Sequence, residues 1–301
     1  MPQTIKNANV RSGSIGCLMK SILSALIIGC YILCCLLIRT RPWRYFQINA
    51  RLFSRDKGIF SKLSIDKLIP AKWRLHQEPL KACYTSETFP VFVKPEWGQN
   101  AKGIQRADSP EELRRIEQEV LGGKKSYIVQ AAATGAREFE IFTTFSDRNA
   151  NRADIVTVTE AINASHKYPV NSINNPDTQY VDITNQFSED DLTTLTGYKQ
   201  EIGRFGQSRL SVRADNFEDL ISGNFHVIEL NLFTPMPINL MDEGYSWKQK
   251  LEFILKVGKS LARVTRSIDR NQKTFPVFTR MMLYGHERSS SPLGSVLRSF
   301  L

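Results

Sequence analysis

Residues 209–231 read RLSVRADNFEDLISGNFHVIELN, and this stretch decides the fold. Arg209–Asp215 and Phe225–Asn231 each alternate apolar and polar residues, the period of a strand. A polar turn separates them. Alternate side chains on a strand share a face. Arg213 and Asp215 therefore point one way, as do Glu229 and Asn231. If the two strands pair as a hairpin, Asp215, Glu229 and Asn231 bring three oxygen ligands together. Oxygen-only ligands on rigid strands suit Mg²⁺ bridging nucleotide phosphates, with Mn²⁺ as a substitute. Arg213 beside them can hold an oxyanion with a two-pronged hydrogen bond. The alternative is an exposed polar strand face with ordinary salt bridges. The occurrence of two such strands, followed by Thr234-Pro235-Met236-Pro237, favours a site.

Working outward, the pattern from Phe89 alternates between strand and helix. Pro90–Lys94 (PVFVK) is a short strand, and Gly98 and Gly103 mark the loop after it. Gly-containing turns let backbone N–H groups approach phosphate, and Lys94 and Lys102 would add positive charge. The loop is not the G-x-x-x-x-G-K-[ST] type, because no Ser or Thr follows a Gly-Lys. Ser109-Pro110-Glu111-Glu112 starts a helix that runs to about Leu121 and stops at Gly122-Gly123. A strand over Ser126–Gln130 leaves through a polar residue able to meet a purine edge, and Gly135-Ala136-Arg137-Glu138 follows it. Arg137–Phe145 and Ala153–Ala161 read as antiparallel strands across the turn Ser146–Asn151. Residues 162–186 read as polar loop. Helices are expected over Ser188–Phe205 and Ser246–Ile268, and the Ser-rich tail from 289 to 301 is expected to be flexible.

The order strand, Lys-Pro, Gly loop, helix, strand, Gly-x-x-Glu, Arg-x-Asp, Glu-x-Asn resembles the ATP-grasp superfamily. It is most similar to the D-alanine–D-alanine ligase-like branch, and the Lys102-Gly103-Ile104 end of the loop is closer to the glutamate-ligase branch. The resemblance covers roughly residues 60–270 and implies an α+β ATP-grasp fold, two subdomains clasping ATP, with the domain itself expected over residues 87–288. It implies that Lys94 contacts the ATP phosphates under a lid formed by Gly98–Gly103. Gln130 falls where the family has a Glu on the ribose or adenine side, and Glu138 matches a ribose-side contact. Lys167 matches a second phosphate lysine. Asp215, Glu229 and Asn231 match the metal ligands. Arg213 matches an arginine that stabilises the tetrahedral intermediate. The implied activity is ATP-dependent joining of a carboxylate to an amine or thiol through an acyl phosphate. Trp97 stands where the family often has small residues, Thr234–Pro237 lacks a Pro-Gly, and no separate N-terminal substrate domain is legible.

The N-terminal segment reads differently. Residues 1–90 hold 14 Lys and Arg against 4 Asp and Glu, the whole of the formal charge of +10. The basic excess therefore lies outside the expected catalytic body, and nucleic acid is not an expected partner. Ser21–Ile38 (SILSALIIGCYILCCLLI) contains no charge. About 18 such residues reach roughly 27 Å as a helix, close to the hydrocarbon thickness. A transmembrane anchor over residues 1–40 and a membrane-proximal connector over 41–86 are expected, with the lipid bilayer as partner. The positive residues after the run, Arg39, Arg41 and Arg44 first among them, place the body in the cytoplasm at the cell membrane. Ile27-Ile28-Gly29-Cys30 leaves a lipoprotein signal open. Of five cysteines only Cys83 lies beyond the apolar stretch and its edge, so the body makes no internal disulfide.

Two other functions stay open on this sequence. A catalytically inactive nucleotide-binding scaffold would keep the fold without turnover. A basic connector binding lipid or nucleic acid would show salt-sensitive binding through residues 39–74. The four histidines have no metal-ligand spacing.

Overall fold

The computed structural model describes residues 3–98, 100–123, 125–147 and 150–286, with side chains within 18–281. The tail expected from residue 289 and the Cys17 side chain lie outside the described residues.

A long helix α1 (Gln3–Leu37) is followed by 3-10 turns over Pro42–Gln47 and Ala50–Leu52 and by a short helix α2 (Lys62–Asp66). The first sheet comprises β1 (Gln77–Pro79), β2 (Val91–Pro95), β3 (Gln105–Ala107) and β4 (Tyr127–Ala131), in the order β1-β4-β2-β3, all antiparallel. Helix α3 (Pro110–Leu121) packs on it, Leu113, Ile116 and Val120 meeting Val91, Val93 and Val129. Ser109 caps α3 by accepting from the Glu112 N–H, and Glu112 reaches back to the Asp108 N–H.

The second sheet comprises β5 (Arg137–Thr144), β6 (Ile155–Ile162), β7 (Gln179–Asp182), β8 (Gln207–Ala214) and β9 (His226–Asn231), in the order β7-β6-β5-β8-β9. Its two faces differ as a period of two requires. One carries Phe139, Ile141, Leu210 and Val212 into the main core, under α4 (Glu189–Ile202) and α5 (Phe217–Ser222). The other carries Glu138, Glu140, Arg209, Ser211 and Arg213 toward the first sheet. Helix α6 (Trp247–Arg266) covers the far end of that second face, where Thr144 Oγ1 lies 2.6 Å from Ser260 Oγ. Both α4 and α6 begin with reciprocal capping boxes, Ser188 with Asp191 and Ser246 with Gln249. Helix α7 (Val277–His286) closes the described chain, with Val277 and Met281 in the main core.

Three departures from the sequence pattern stand out. The segment expected to be a connector is built into the body: Ala50, Phe53, Phe60, Ile65, Ile69 and Trp73 are core residues, and β1 pairs with β4. Its apolar residues are spaced by turns, so no helix or strand period announces them. Strand β7 lies inside the stretch expected to be loop, because it is an edge strand with little apolar content. The expected polar turn after β8 contains α5, capped by Asn216 and ended by Gly223 at φ 85°.

Helix α1 lies against α6. Leu23, Ile27, Tyr31, Cys34 and Cys35 pack on Ile254, Val257, Leu261 and Ala262. Gly258 permits the approach, since a Cβ there would stand 2.7 Å from Cys30 Sγ. The opposite side of α1 is open: Leu18, Ile28, Leu33, Leu36 and Leu37 are exposed. The span Leu18–Leu37 is long and apolar enough to cross a membrane by length and composition.

Candidate functional site

A cavity of about 320 Å³ opens between the two sheets. Its floor is the polar face of β5, β8 and β9, its roof is β2, β4 and the loop after β2, and Lys20 and Ser24 of α1 stand at its wall.

The pairing of β8 with β9 decides the floor. Arg209 pairs with Asn231, Leu210 with Leu230 and Ser211 with Glu229; an irregularity after Ser211 then sets Arg213 opposite His226. Arg209-Leu210-Ser211 is therefore the segment that faces Glu229-Leu230-Asn231. Asp215 lies past the strand end, exposed, where its carboxylate accepts from the Ala136 N–H at 3.0 Å. The expected trio of Asp215, Glu229 and Asn231 does not form: Glu229 and Asn231 share the cavity, and Ser211 stands where the third oxygen was expected. Antiparallel pairing that sets Arg209 opposite Asn231 puts Asp215 at the other end of the hairpin, past Ala214 where β8 stops, and so away from Glu229 and Asn231. Among the described residues, no group of three His, Cys, Asp or Glu could hold a metal ion.

Lys62 enters from α2. Glu96, itself 2% exposed, accepts from Lys57 and Ser61 and so ties α2 to the end of β2. That tie places Lys62 Nζ 2.6 Å from Glu229 Oε1. Lys94, on β2, is buried, and its Nζ donates to Gln130 Oε1 at 2.6 Å. The Gln130 amide nitrogen donates in turn to Gln77 Oε1 and to the Ile228 carbonyl. Gln130 lines the cavity, and its amide oxygen orients Lys94. Burial lowers the Lys94 ammonium to about 8 against the pull of Glu229. Burial would raise the Glu229 carboxyl, but Lys62 and Lys94 outweigh it and hold the group at about 2.

Glu138 and Glu140 share the floor. Burial and the Glu140 charge push Glu138 up to about 8, while Arg213 pulls the other way. Glu140 is also raised by burial; Arg209 Nε stands 3.0 Å from it and Ser211 Oγ donates to it at 2.8 Å. Arg213 is buried and donates to the Lys167 carbonyl at 3.2 Å. The Lys167 side chain is exposed, lies over the Tyr168 ring and does not line the cavity. Its expected phosphate contact is not assembled here, because only its backbone turns inward.

The glycine loop forms the roof. Gly98, Asn100, Ala101 and Lys102 line the cavity, and Gln99 lies outside the described residues. Asn100, Ala101 and Gly103 all have positive φ, 56°, 55° and 80°. Trp97 packs edge-on against Phe233, centroids 5.8 Å apart, and so roots the loop in the core. Lys20 Nζ donates to Asn100 Oδ1 at 2.6 Å, linking α1 to the loop.

Six cationic side chains, Lys20, Lys62, Lys94, Lys102, Arg209 and Arg213, face this cavity with three carboxylates, Glu138, Glu140 and Glu229. An excess of fixed positive charge under a loop of small residues fits a polyphosphate. Glu229 and Asn231 are enough oxygen ligands for Mg²⁺ only where phosphate oxygens complete its shell. Lys62, Glu140, Arg209 and Ser211 were missed in the sequence. The period of two in Arg209-Leu210-Ser211-Val212-Arg213 and in Glu138-Phe139-Glu140 already puts the last three on the site's face; Lys62 carried no local signal.

Two antiparallel sheets closing on a cationic cleft under a glycine loop define a mixed α+β, ATP-grasp-like protein. The chain belongs to the family described as D-ala D-ala ligase C-terminus, which matches residues 58–238. Among solved structures, VanG D-Ala:D-Ser ligase from Enterococcus faecalis is 18% identical, with TM-score 0.44 over 66% of this chain and 61% of that one. An L-amino acid ligase from Bacillus licheniformis is 17% identical, with TM-score 0.42 over 67% of this chain and 47% of that one. D-alanine–D-alanine ligase from Bacillus anthracis complexed with ATP is 10% identical, with TM-score 0.45 over 69% and 66%. The chain thus spans about half to two thirds of the length of these proteins. No curated protein sequence matches it.

Proposed function

We propose that the chain is an ATP-dependent ligase that activates a carboxylate and passes its acyl group to an amine or thiol. The observation that carries this reading is the convergence of Lys62, Lys94, Arg209 and Arg213 on the floor and roof of one cleft in a D-ala D-ala ligase family chain.

Lys94, aimed by Gln130, and Lys62 hold the phosphates, and Lys102 covers them from the loop. Glu138, close to its titration point near neutral pH, offers a hydrogen bond to the ribose side. A substrate carboxylate oxygen attacks the terminal phosphorus and ADP leaves. The nucleophile then attacks the carbonyl carbon of the acyl phosphate, loses a proton, and phosphate departs. Arg213 and Arg209 stabilise the oxyanion of that second step. Closure of the Gly98–Gly103 loop excludes water that would hydrolyse the acyl phosphate. Where Mg²⁺ is bound, Glu229 and Asn231 hold it, and it offsets phosphate charge.

The exposed apolar side of α1, with Arg39, Arg41 and Arg44 just after it, supports attachment of the body to the anionic cytoplasmic face of a lipid bilayer. A second reading has its own support. With Ser211 opposite Glu229 and Lys62 paired to Glu229, the chain could bind nucleotide as a scaffold without turnover.

The test is ADP release by the purified full chain with ATP, Mg²⁺ and a panel of carboxylates. Carboxylate-dependent release that disappears in Lys94→Ala and Glu229→Ala supports the ligase. ATP binding without release across the panel selects the scaffold.

A further inference from the structure

Beside the cationic cleft lies a second cavity of about 640 Å³. That size falls in the range of small-molecule sites, about 300–1,000 Å³. Its lining is of the opposite kind. Ile28, Ile32, Trp43, Phe46, Leu261 and Phe278 surround it, and among the described residues no charged side chain lines it. The two cavities adjoin: Ser24, Phe233, Thr234, Pro235 and Met236 line both. At this partition Ser24 Oγ donates to Met236 Sδ at 3.5 Å, and Arg209 Nη1 donates to the Met236 carbonyl at 3.1 Å. A guanidinium therefore stands where the apolar cavity meets the polar one.

Helix α1 runs along both. Lys20, Ser24, Ile28 and Ile32 follow at four-residue spacing, so they form one stripe. The stripe begins with Lys20 at the cleft, passes Ser24 at the partition and ends with Ile28 and Ile32 in the apolar cavity. Ile28, Ile32, Trp43 and Phe278 are 57%, 40%, 66% and 48% exposed, so the cavity's mouth opens beside the bare apolar side of α1.

We propose that the carboxylate substrate is an amphiphile whose hydrocarbon chain occupies the cavity between α1 and the Pro42–Gln47 turn while its carboxylate reaches Arg209 at the cleft. The geometry joins an apolar channel, a cation at its inner end and a phosphate-binding cleft beyond. A short polar carboxylate would leave the channel's apolar lining without a partner. This inference rests on the ligase reading and names its substrate class. In the balanced step, one carboxylate oxygen of the chain bonds to the terminal phosphorus of ATP as ADP departs.

The experiment supplies the full chain with ATP, Mg²⁺ and hydroxylamine, which traps an acyl phosphate as a hydroxamate. The carboxylates are D-alanine, acetate, hexanoate and dodecanoate. The expected result is a KM that falls about three- to fourfold for each methylene that enters the cavity. Ile32→Trp and Phe278→Glu, both at the exposed mouth and checked for folding by circular dichroism, should raise the dodecanoate KM at least tenfold. Equal turnover of D-alanine or acetate and dodecanoate, or a dodecanoate KM unmoved by both variants, overturns the proposal and leaves the ligase reading intact. If no carboxylate supports ADP release, the ligase reading fails. Calorimetric titration with dodecanoate then decides the cavity alone: saturable binding weakened by both variants sustains a chain-binding site, and its absence overturns it.

Discussion

Lys62 Nζ lies 2.6 Å from Glu229 Oε1, and the two residues come from segments that share no local pattern. Lys62 and Lys94 hold Glu229 at about 2 instead of the usual 4.5. A carboxylate with a lowered folded-state pKa adds stability above the unfolded value and loses it as pH falls toward the folded one. In Lys62→Met, acid unfolding between about pH 4.5 and pH 2 should become shallower than in wild type, and the neutral-pH protein should lose about 3 kcal/mol. Thermal unfolding across that range measures both. An unchanged acid limb would show that the pair does not hold the proton off Glu229.

Nucleotide affinity should fall as pH rises past about 8, because burial sets the Lys94 ammonium there and only the charged form meets phosphate. The loss approaches tenfold per pH unit above that point. Equilibrium ATP binding across neutral to alkaline pH reads it, and Lys94→Ala should bind weakly with that alkaline limb missing. A wild-type affinity that is flat to about pH 10 would contradict the role given to Lys94.

Glu138, raised to about 8, has the opposite sign from Glu229. The folded protein binds more protons than the unfolded chain between its usual 4.5 and 8, so stability falls as pH rises through that window. Glu138→Gln removes the charge but keeps the hydrogen-bonding shape. Its Tm should exceed wild type by a few degrees at alkaline pH, about 1 kcal/mol, and match it at acid pH. Scanning calorimetry at the two pH values checks the crossing.

Asp215 and Glu229 separate under mutation. Asp215→Ala should leave turnover within about twofold and cost about 1 kcal/mol for the lost bond to the Ala136 N–H. Glu229→Ala should abolish turnover. Equal loss in both would mean that the working hairpin slides to bring Asp215 inside.

Gly258→Leu tests the seat of α1. A Cβ at Gly258 would meet Cys30 Sγ at 2.7 Å, so the larger side chain must push α1 from α6. Cys30 should label faster with maleimide, and ATP should bind more weakly as Lys20 leaves Asn100. Unaltered labelling with full affinity would show that α1 adapts in place.

Much of the local structure was legible because its causes are local. Ser109, Ser188 and Ser246 announce α3, α4 and α6, since a cap and its N3 partner sit within one turn. Strands β5, β6, β8 and β9 show themselves by alternation, and Lys94, Glu138, Arg213, Glu229 and Asn231 do line one cavity. The contribution of residues 42–86 was hidden, because Phe53, Phe60 and Trp73 follow no period and gain a core only from distant partners. The apolar run of α1 was legible as a helix able to span a bilayer, whereas its packing on α6 depends on a glycine more than two hundred residues away.

By itself the sequence determined the long helices and the main strands, the family they compose, and the charge chemistry on each of those strand faces, because propensity, capping and alternation act between near neighbours. Only the tertiary structure decided that Ser211 and not Asp215 stands opposite Glu229, that Lys62 completes the cleft, and that α1 walls it. Register across a hairpin and contacts between remote segments are set by how the whole core closes, and a one-residue irregularity moves a side chain across the sheet or out of the site.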